Sequence, residues 1–343
     1  MYMLRLYAIY LIWKCNLMKP ITNITIGTRA SKLAMLQTQS IVERLHRQLP
    51  TLDISIEQIH TRGDHNTTQP LTEIGGDGVF VMEIERALLD GRIDLAIHSL
   101  KDLPTTQPDG LQVWAVADRE DARDAIIWHD EQYAAIDENP GILRIGTCSL
   151  RRSAQLRALL PQVDILPLRG NVDTRLRKLD AGDYDGIVLA AAGLHRLGMH
   201  QQLEHRMTYL SLEEMLPAPG QGALALEIRD EAALRALLAP LLDSEVQATT
   251  SAERMFMRRL GAGCYLPIAA YGEILGGRLT LQGLVISLDG KEQVRVRAST
   301  LWTSQTGVEY AELLGVQLAE QALAEGAAAI IQTVEEGQVR EHA

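Results

Sequence analysis

Alternation constrains this chain more than any single residue does. From Ile21 onward, short β-branched runs are separated by amphipathic stretches of helical length. That is the layout of α/β layers built on mainly parallel sheets. The pattern predicts strands over residues 24–27, 54–60, 94–98, 113–117, 125–128, 143–146, 163–166, 186–190 and 223–228. Helices are predicted over 32–48, 80–90, 151–160, 174–180 and 231–242. In the second of these, Phe80, Ile84, Ala87 and Leu88 fall at helical spacing.

Two stretches echo each other. Ile26-Gly27-Thr28 leads into Arg29, Ser31 and a helix, while Ile145-Gly146-Thr147 leads into Ser149, Arg151, Arg152 and a helix. Later, Gly91-Arg92-Ile93-Asp94 and Gly182-Asp183-Tyr184-Asp185 each precede an apolar strand. Either the chain contains two similar α/β domains, or strand–turn–helix units resemble each other by chance. The tail is different. Helix over 251–260, strands over 266–271, 278–286 and 293–301, and a long helix over 308–325 suggest a small α+β domain. Pro217 and Pro219 before Gly220-Gln221-Gly222 mark a crossing point between domains. Residues 1–17 read as an extension upstream of a start at Met18. Their uncharged run is far short of the roughly 20 residues that span a bilayer, and no small-residue cleavage site follows.

Charge supplies the first hint of a ligand. The chain of 343 residues carries 33 Lys plus Arg against 44 Asp plus Glu, a net −11, which disfavours a nucleic-acid partner. Within residues 144–178 the balance reverses. Eight basic residues face only Asp164 and Asp173, so this stretch is +6 and the remainder −17. Seven of the eight are arginine, whose planar fork grips a carboxylate or phosphate with two hydrogen bonds. Arg29, Arg151 and Arg152 stand at strand-to-helix turns, and Arg169 and Arg175 lie next to glycine or a turn, where anions are held. Arg157 and Arg177, inside helices, read as solvated faces. No glycine cluster has the Lys-Ser/Thr or strand–helix context of a phosphate cradle, so nucleotide binding is not expected.

Two further groups carry chemistry. Asp102, in His98-Ser99-Leu100-Lys101-Asp102-Leu103-Pro104, follows a strand and lies beside Lys101. A carboxylate there serves as an acid or charge stabiliser, or simply as a turn residue. Cys264 lies in a glycine-rich bend, Gly261-Ala262-Gly263-Cys264, with Arg258 and Arg259 nearby to favour the thiolate. It is either a covalent attachment point or a core thiol. No metal-ligand set at short spacing accompanies it, so no metal is expected. Cys148 reads either as a second reactive thiol or, as its place at a strand end favours, as a packed one. Cys15, Cys148 and Cys264 are the only cysteines, a usage that fits a reducing compartment and a cytoplasmic protein.

These segments, taken in order, resemble a known family. Gly27-Thr28-Arg29-Ala30-Ser31-Lys32-Leu33-Ala34, Thr61-Arg62-Gly63-Asp64, the segment from His98 to Pro104, Gly146-Thr147-Cys148-Ser149-Leu150-Arg151-Arg152, Leu168-Arg169-Gly170-Asn171-Val172-Asp173-Thr174-Arg175, Pro219-Gly220-Gln221-Gly222-Ala223-Leu224 and Gly263-Cys264 are similar to the porphobilinogen deaminase (hydroxymethylbilane synthase) family. The resemblance implies two α/β domains like periplasmic binding proteins around a cleft, plus a small α+β C-terminal domain. It places domain 1 at 18–118 and 218–240, domain 2 at 119–217 and domain 3 at 241–343. It also implies a transferase with a dipyrromethane cofactor bound by a thioether to Cys264. Four porphobilinogens are joined head to tail onto that primer with loss of ammonia, and linear hydroxymethylbilane is released by hydrolysis, for tetrapyrrole and heme biosynthesis.

In this scheme Asp102 is the catalytic acid. Arg29, Ser31, Ser149, Arg151, Arg152, Arg169 and Arg175 hold the acetate and propionate groups of the growing chain, and Asp64, Lys101, Gln37 and Phe80 support the site. The only expected partner is porphobilinogen, without nucleic acid or membrane, and the expected state is a monomer. One departure stands out. Where the family usually carries lysines, the loop before the second helix reads Glu73-Ile74-Gly75-Gly76-Asp77-Gly78-Val79-Phe80. Two rivals remain at this stage: a non-catalytic binding module for an anionic metabolite, and a paralogue weakened by Glu73 and Asp77.

Overall fold

The computed structural model describes residues 21–61, 81–115, 119–131, 142–160, 162–261 and 266–341. The alternation becomes two five-stranded sheets. In the first, β1 (Asn23–Arg29), β2 (Asp53–Ile59), β3 (Leu95–Ser99), β4 (Leu111–Ala115) and β10 (Leu224–Arg229) lie in the order β2-β1-β3-β10-β4. In the second, β5 (Asp124–Trp128), β6 (Leu143–Gly146), β7 (Val163–Leu166), β8 (Gly186–Ala190) and β9 (Met207–Tyr209) lie in the order β7-β6-β8-β5-β9. The two orders match position for position, with β10 and β5 in equivalent places.

That match decides between the two readings of the sequence echo. Ile26 and Gly27 on β1 pair with Leu95 and Ala96, and Ile145 and Gly146 on β6 pair with Gly186 and Ile187 at the same places. The Gly-x-x-Asp segments do matching work. Asp94 Oδ2 accepts from Thr25 N at 2.9 Å, and Asp185 Oδ2 accepts from Arg144 N at 2.8 Å. Each aspartate thereby ties the start of its strand to the neighbouring one.

The sheets are mixed rather than mainly parallel as expected. β10 runs antiparallel to β3 and β4, and β5 runs antiparallel to β8 and β9. The reason is connectivity. Each sheet receives, next to its parallel strands, one strand from a chain that has just crossed from the other unit. Hairpin-like returns and crossings enter a sheet without a crossover helix, so they run antiparallel.

Helices cover both faces. Ser31 caps α1 (Lys32–Gln48) by accepting from Ala34 N, and Thr38, Ile41, Val42 and Leu45 form its buried stripe. Of these, Ile41, Val42 and Leu45 pack with Ile24, Ile26, Leu95, Ile97, Leu224, Leu226 and Ile228. On the opposite face α2 (Met82–Leu89) sets Ile84, Ala87 and Leu88 against Ile59, Ile93, Ala96 and Leu111. In the second unit, α3 (Leu150–Leu159) and α4 (Val172–Asp180) are capped by Ser149 and Asn171 in the same way.

The tail forms the expected third layer. β11 (Ile268–Leu275), β12 (Arg278–Ile286) and β13 (Gln293–Leu301) make an antiparallel sheet. It is covered by α5 (Ser244–Arg259) and α6 (Val308–Ala322). The first of these begins earlier than predicted because Asp243 caps it through Glu245 N and Val246 N. A further helix, α7 (Ala328–Glu341), follows a break at Gly326, whose φ is 107°. No helix among the described residues is long and apolar enough to cross a membrane.

Both connections between the two α/β units meet at Glu253 on α5, which is fully buried. Its carboxylate accepts from Arg119 Nη1 (2.6 Å) and Nη2 (3.0 Å), from Gly220 N (2.6 Å) and from Gly272 N (2.7 Å). Arg119 Nε donates to Gln221 O at 3.0 Å. One side chain of the third layer therefore fixes residue 119 on the outward connection and residue 220 on the return.

Candidate active site

The turn after β3 is held from below. Leu100 is buried with Val81, Leu103, Ala223 and Ala225, and its N–H donates to Ala223 O at 3.0 Å. Arg254 of α5 donates to Leu103 O (3.1 Å) and Pro104 O (2.6 Å). Gln37 of α1 donates through Nε2 to Ser99 Oγ at 3.0 Å. With the backbone pinned on three sides, the short helical turn Leu100–Asp102 presents Lys101 half-buried and Asp102 exposed.

Opposite this turn is a carboxylate that the sequence reading passed over. Asp124 begins β5 and is fully buried. Arg152 donates to its Oδ1 through Nε (3.0 Å) and Nη2 (2.6 Å), and Arg151 Nη1 lies 2.7 Å from its Oδ2. Burial opposes a charge on Asp124, but the two guanidiniums overcome it and hold the carboxyl well below the usual range. Arg151 also donates to Leu216 O at 2.8 Å and Arg152 to Val188 O at 3.1 Å. Both arginines are only 6% exposed. They are thus built into the core, with Nη1 of Arg151 and Nε, Nη1 and Nη2 of Arg152 engaged there.

Gln221 links the two sides. Its Oε1 accepts from Lys101 Nζ at 3.2 Å, while its Nε2 donates to Asp124 Oδ1 (3.0 Å) and Ala122 O (2.7 Å). Lys101 therefore faces Asp102, Asp124, Arg151 and Arg152 at once. Burial lowers its pKa to about 8, with Arg152 and Arg151 adding to the fall and Asp102 and Asp124 opposing it.

Arg175, on α4, donates from Nε to Gly170 O at 2.7 Å. Its pKa is lowered chiefly by burial and then by the charge of Arg152, with Asp102 acting the other way and Arg169 adding to the fall. Asp102, Arg152, Arg169 and Arg175 therefore share one electrostatic neighbourhood. Arg29 ends β1, and Ser31 and Ser149 cap α1 and α3 at the matching strand-to-helix turns of the two units.

The remaining sequence candidates divide. Asp64, Phe80 and Cys264, with Glu73 and Asp77 of the loop, lie outside the described residues. Cys148 is exposed, contrary to the expected packing, because β6 ends at Gly146 and the chain has already turned toward Ser149. Arg157 is exposed as expected, but its Nη1 also donates to Leu288 O of the third layer at 2.7 Å. Asp124, Gln221, Arg119 and Glu253 were missed. The signals were faint: an Asp heading the otherwise apolar Ala125-Ile126-Ile127-Trp128, and a Gln between two glycines.

The inner group has five cations, Lys101, Arg151, Arg152, Arg169 and Arg175, against two carboxylates, Asp102 and Asp124, an excess of three positive charges. A ligand bearing several carboxylates fits this excess. A dipyrromethane with its acetate and propionate groups is such a ligand.

Comparison with known proteins agrees with this chemistry. Residues 24–235 match the family model described as porphobilinogen deaminase, dipyromethane cofactor binding domain, and residues 248–324 match the porphobilinogen deaminase C-terminal domain. The porphobilinogen deaminase of Chromobacterium violaceum is 46% identical over 312 residues, covering 91% of this chain and 97% of that one. That of Syntrophus aciditrophicus is 46% identical over 314 residues, covering 91% and 99%. That of Macrococcus caseolyticus is 44% identical over 313 residues, covering 91% and 98%. The chain belongs to the porphobilinogen deaminase family, with its dipyrromethane cofactor-binding region and its C-terminal domain both present.

Proposed function

We propose that the Lys101–Asp102 turn, the Asp124–Arg151–Arg152 group and Arg169 and Arg175 are the reacting centre of this deaminase. The observation that carries this reading is the junction at Gln221, where the turn of the first sheet and the arginines of the second come within hydrogen-bonding reach of one amide. The dipyrromethane, attached through Cys264, supplies the primer onto which four porphobilinogens are joined.

The side chains have separable roles. Asp102 lies beneath the substrate pyrrole, assists departure of ammonia from the aminomethyl carbon and stabilises the positive charge that develops there. Arg151, Arg152, Arg169 and Arg175 orient the acetate and propionate carboxylates through their planar guanidinium forks. Arg29, Ser31 and Ser149 do the same at the two strand-to-helix turns, where backbone N–H groups favour anions. Lys101 balances Asp102, and Gln37 holds the turn through Ser99. Asp64 and Phe80 support the site from the segment preceding α2. We divide the chain into residues 18–118 with 218–240, 119–217 and 241–343, a reading that the three separate sheets support. The net −11 disfavours nucleic acid, and we place the enzyme in the cytoplasm as a monomer acting on porphobilinogen alone.

The test is the intact mass of the purified protein beside a Cys264→Ala variant. Extra mass equal to a two-pyrrole unit, absent from the variant, supports the cofactor and its attachment point. An unmodified chain, even after incubation with porphobilinogen, would mean that the arginine cleft only binds.

A further inference from the structure

We propose that Gln221 is a positioning residue for the reaction, its side-chain amide fixing the Lys101 amine against the Asp124–arginine group. The inference rests on the assignment of Lys101 and Asp102 to the reacting centre. It goes beyond that assignment because Gln221 itself need not touch the substrate.

An amide suits this place for a chemical reason. The group must present an acceptor to a cation on one side and a donor to an anion on the other, without adding charge of its own. Gln221 does both, with Oε1 toward Lys101 Nζ and Nε2 toward Asp124 Oδ1 and Ala122 O. The side chain is fully buried, and its aim is fixed by its backbone. Its N–H donates to Ala218 O at 2.9 Å and its carbonyl accepts from Arg119 Nε at 3.0 Å. Gly220 and Gly222 on either side have φ of 76° and 88°. At Gly222 a glycine is compulsory, because the backbone is left-handed and a Cβ there would lie 2.2 Å from Glu120 O. The bend therefore delivers one side chain to one place.

The consequence falls on Lys101. The charged groups around it are Asp102 on its own turn, Asp124 on β5, and Arg151 and Arg152 on α3. Attraction by the two carboxylates opposes repulsion by the two guanidiniums, while burial, the largest effect, disfavours the ammonium. A neutral acceptor at 3.2 Å adds to the side that keeps Lys101 charged beside Asp102.

The experiment compares the cofactor-loaded wild type with Gln221→Met, of similar size but without polar atoms, and Gln221→Glu. Lys101 is one of only six lysines in the chain. Its pKa is therefore read directly from competitive acetylation with acetic anhydride across pH, followed by peptide mass spectrometry, independently of turnover. Gln221→Met is expected to lower the Lys101 pKa by about 1 pH unit and to reduce kcat by more than KM rises. Gln221→Glu, which offers an acceptor oxygen in either protonation state, keeps Lys101 at or above its wild-type value. An unchanged Lys101 pKa in Gln221→Met overturns the inference. Should that variant not fold, a fall in Gln221→Glu overturns it instead. Full turnover in Asp102→Ala would indict the functional reading, not the role of Gln221.

Discussion

Glu85 offers a test of the physics behind the first sheet. It sits on the buried face of α2 and is 9% exposed, above His98 of β3 and Glu227 of β10. His98 Nε2 lies 3.0 Å from Glu227 Oε2, and Glu227 Oε1 has no hydrogen-bond partner among the described residues. Glu227 thus pairs with the imidazole, and Glu85 feels the charge of both. Burial, and then the charge of Glu227, push the Glu85 pKa up to about 7 from 4.5, against a smaller opposing effect of His98. A gap of about 2.5 at 1.36 kcal/mol each is about 3.4 kcal/mol, the full cost of ionising Glu85 in place. Relaxation and water at the helix edge reduce this to about 1–2 kcal/mol.

The sign follows from proton binding. Between pH 4.5 and about 7 the folded state holds a proton that the unfolded chain has released, so stability falls as pH rises. The contribution of protonated Glu85 is complete below 4.5 and lost as pH rises through about 7. Glu85→Gln keeps the shape and removes the ionisation. Urea titrations at about pH 5 and about pH 8 should show almost no effect at the first and stabilisation by about 1–2 kcal/mol at the second. The same change at both pH values, or destabilisation at the higher one, would refute the assignment of the proton to Glu85.

Other expectations follow from the site and its frame. Asp102→Ala should retain the cofactor mass while losing about 100-fold or more in turnover, measured by product formation from porphobilinogen. Glu253→Gln leaves Arg119 without its ionic partner at the junction of both connections and should cost about 3–5 kcal/mol by denaturant unfolding. Gly222→Ala forces a Cβ against Glu120 O in a left-handed backbone, and should lower stability by more than about 1 kcal/mol with a drop in thermal midpoint. Replacing both Glu73 and Asp77 by Lys should lower the apparent KM through attraction of an anionic substrate, and an unchanged KM would remove that segment from binding.

The parts of the fold visible in the sequence are those fixed by local pattern. Strand β1, helix α1 and their counterparts β6 and α3 were readable because β-branched runs end in a Gly-Thr step and a Ser cap. The mixed character of the sheets was not readable. Whether β10 lies beside β3 or at the edge depends on which sheet the chain has just left, and no residue of Leu224–Arg229 records that. The same limit applies to the site. Arginines at strand-to-helix turns announce an anion because their surplus positive charge is local in sequence. Asp124 does not announce itself, since its partners Arg151 and Arg152 are 27 and 28 positions away and meet it only after β5 joins the second sheet. Arg119 and Glu253, 134 positions apart, are harder still.

This separation explains why the proposed reacting centre sits at the crossing between units. An isolated strand-to-helix turn gathers arginines but leaves them exposed, where water and salt weaken their hold on carboxylates. Burial strengthens that hold only if some anion already shares the site when the ligand is absent, because unpaired buried charge is costly. Asp124 provides that anion from the strand that has just crossed over. Gln221 provides the neutral contact to Lys101 from the chain on its way back. Both crossing segments are therefore needed at the same point, and Glu253 fixes them there from a third layer that contributes no strand to either sheet. The arginines can then be buried deeply enough to bind strongly and still carry more positive charge than the protein itself neutralises.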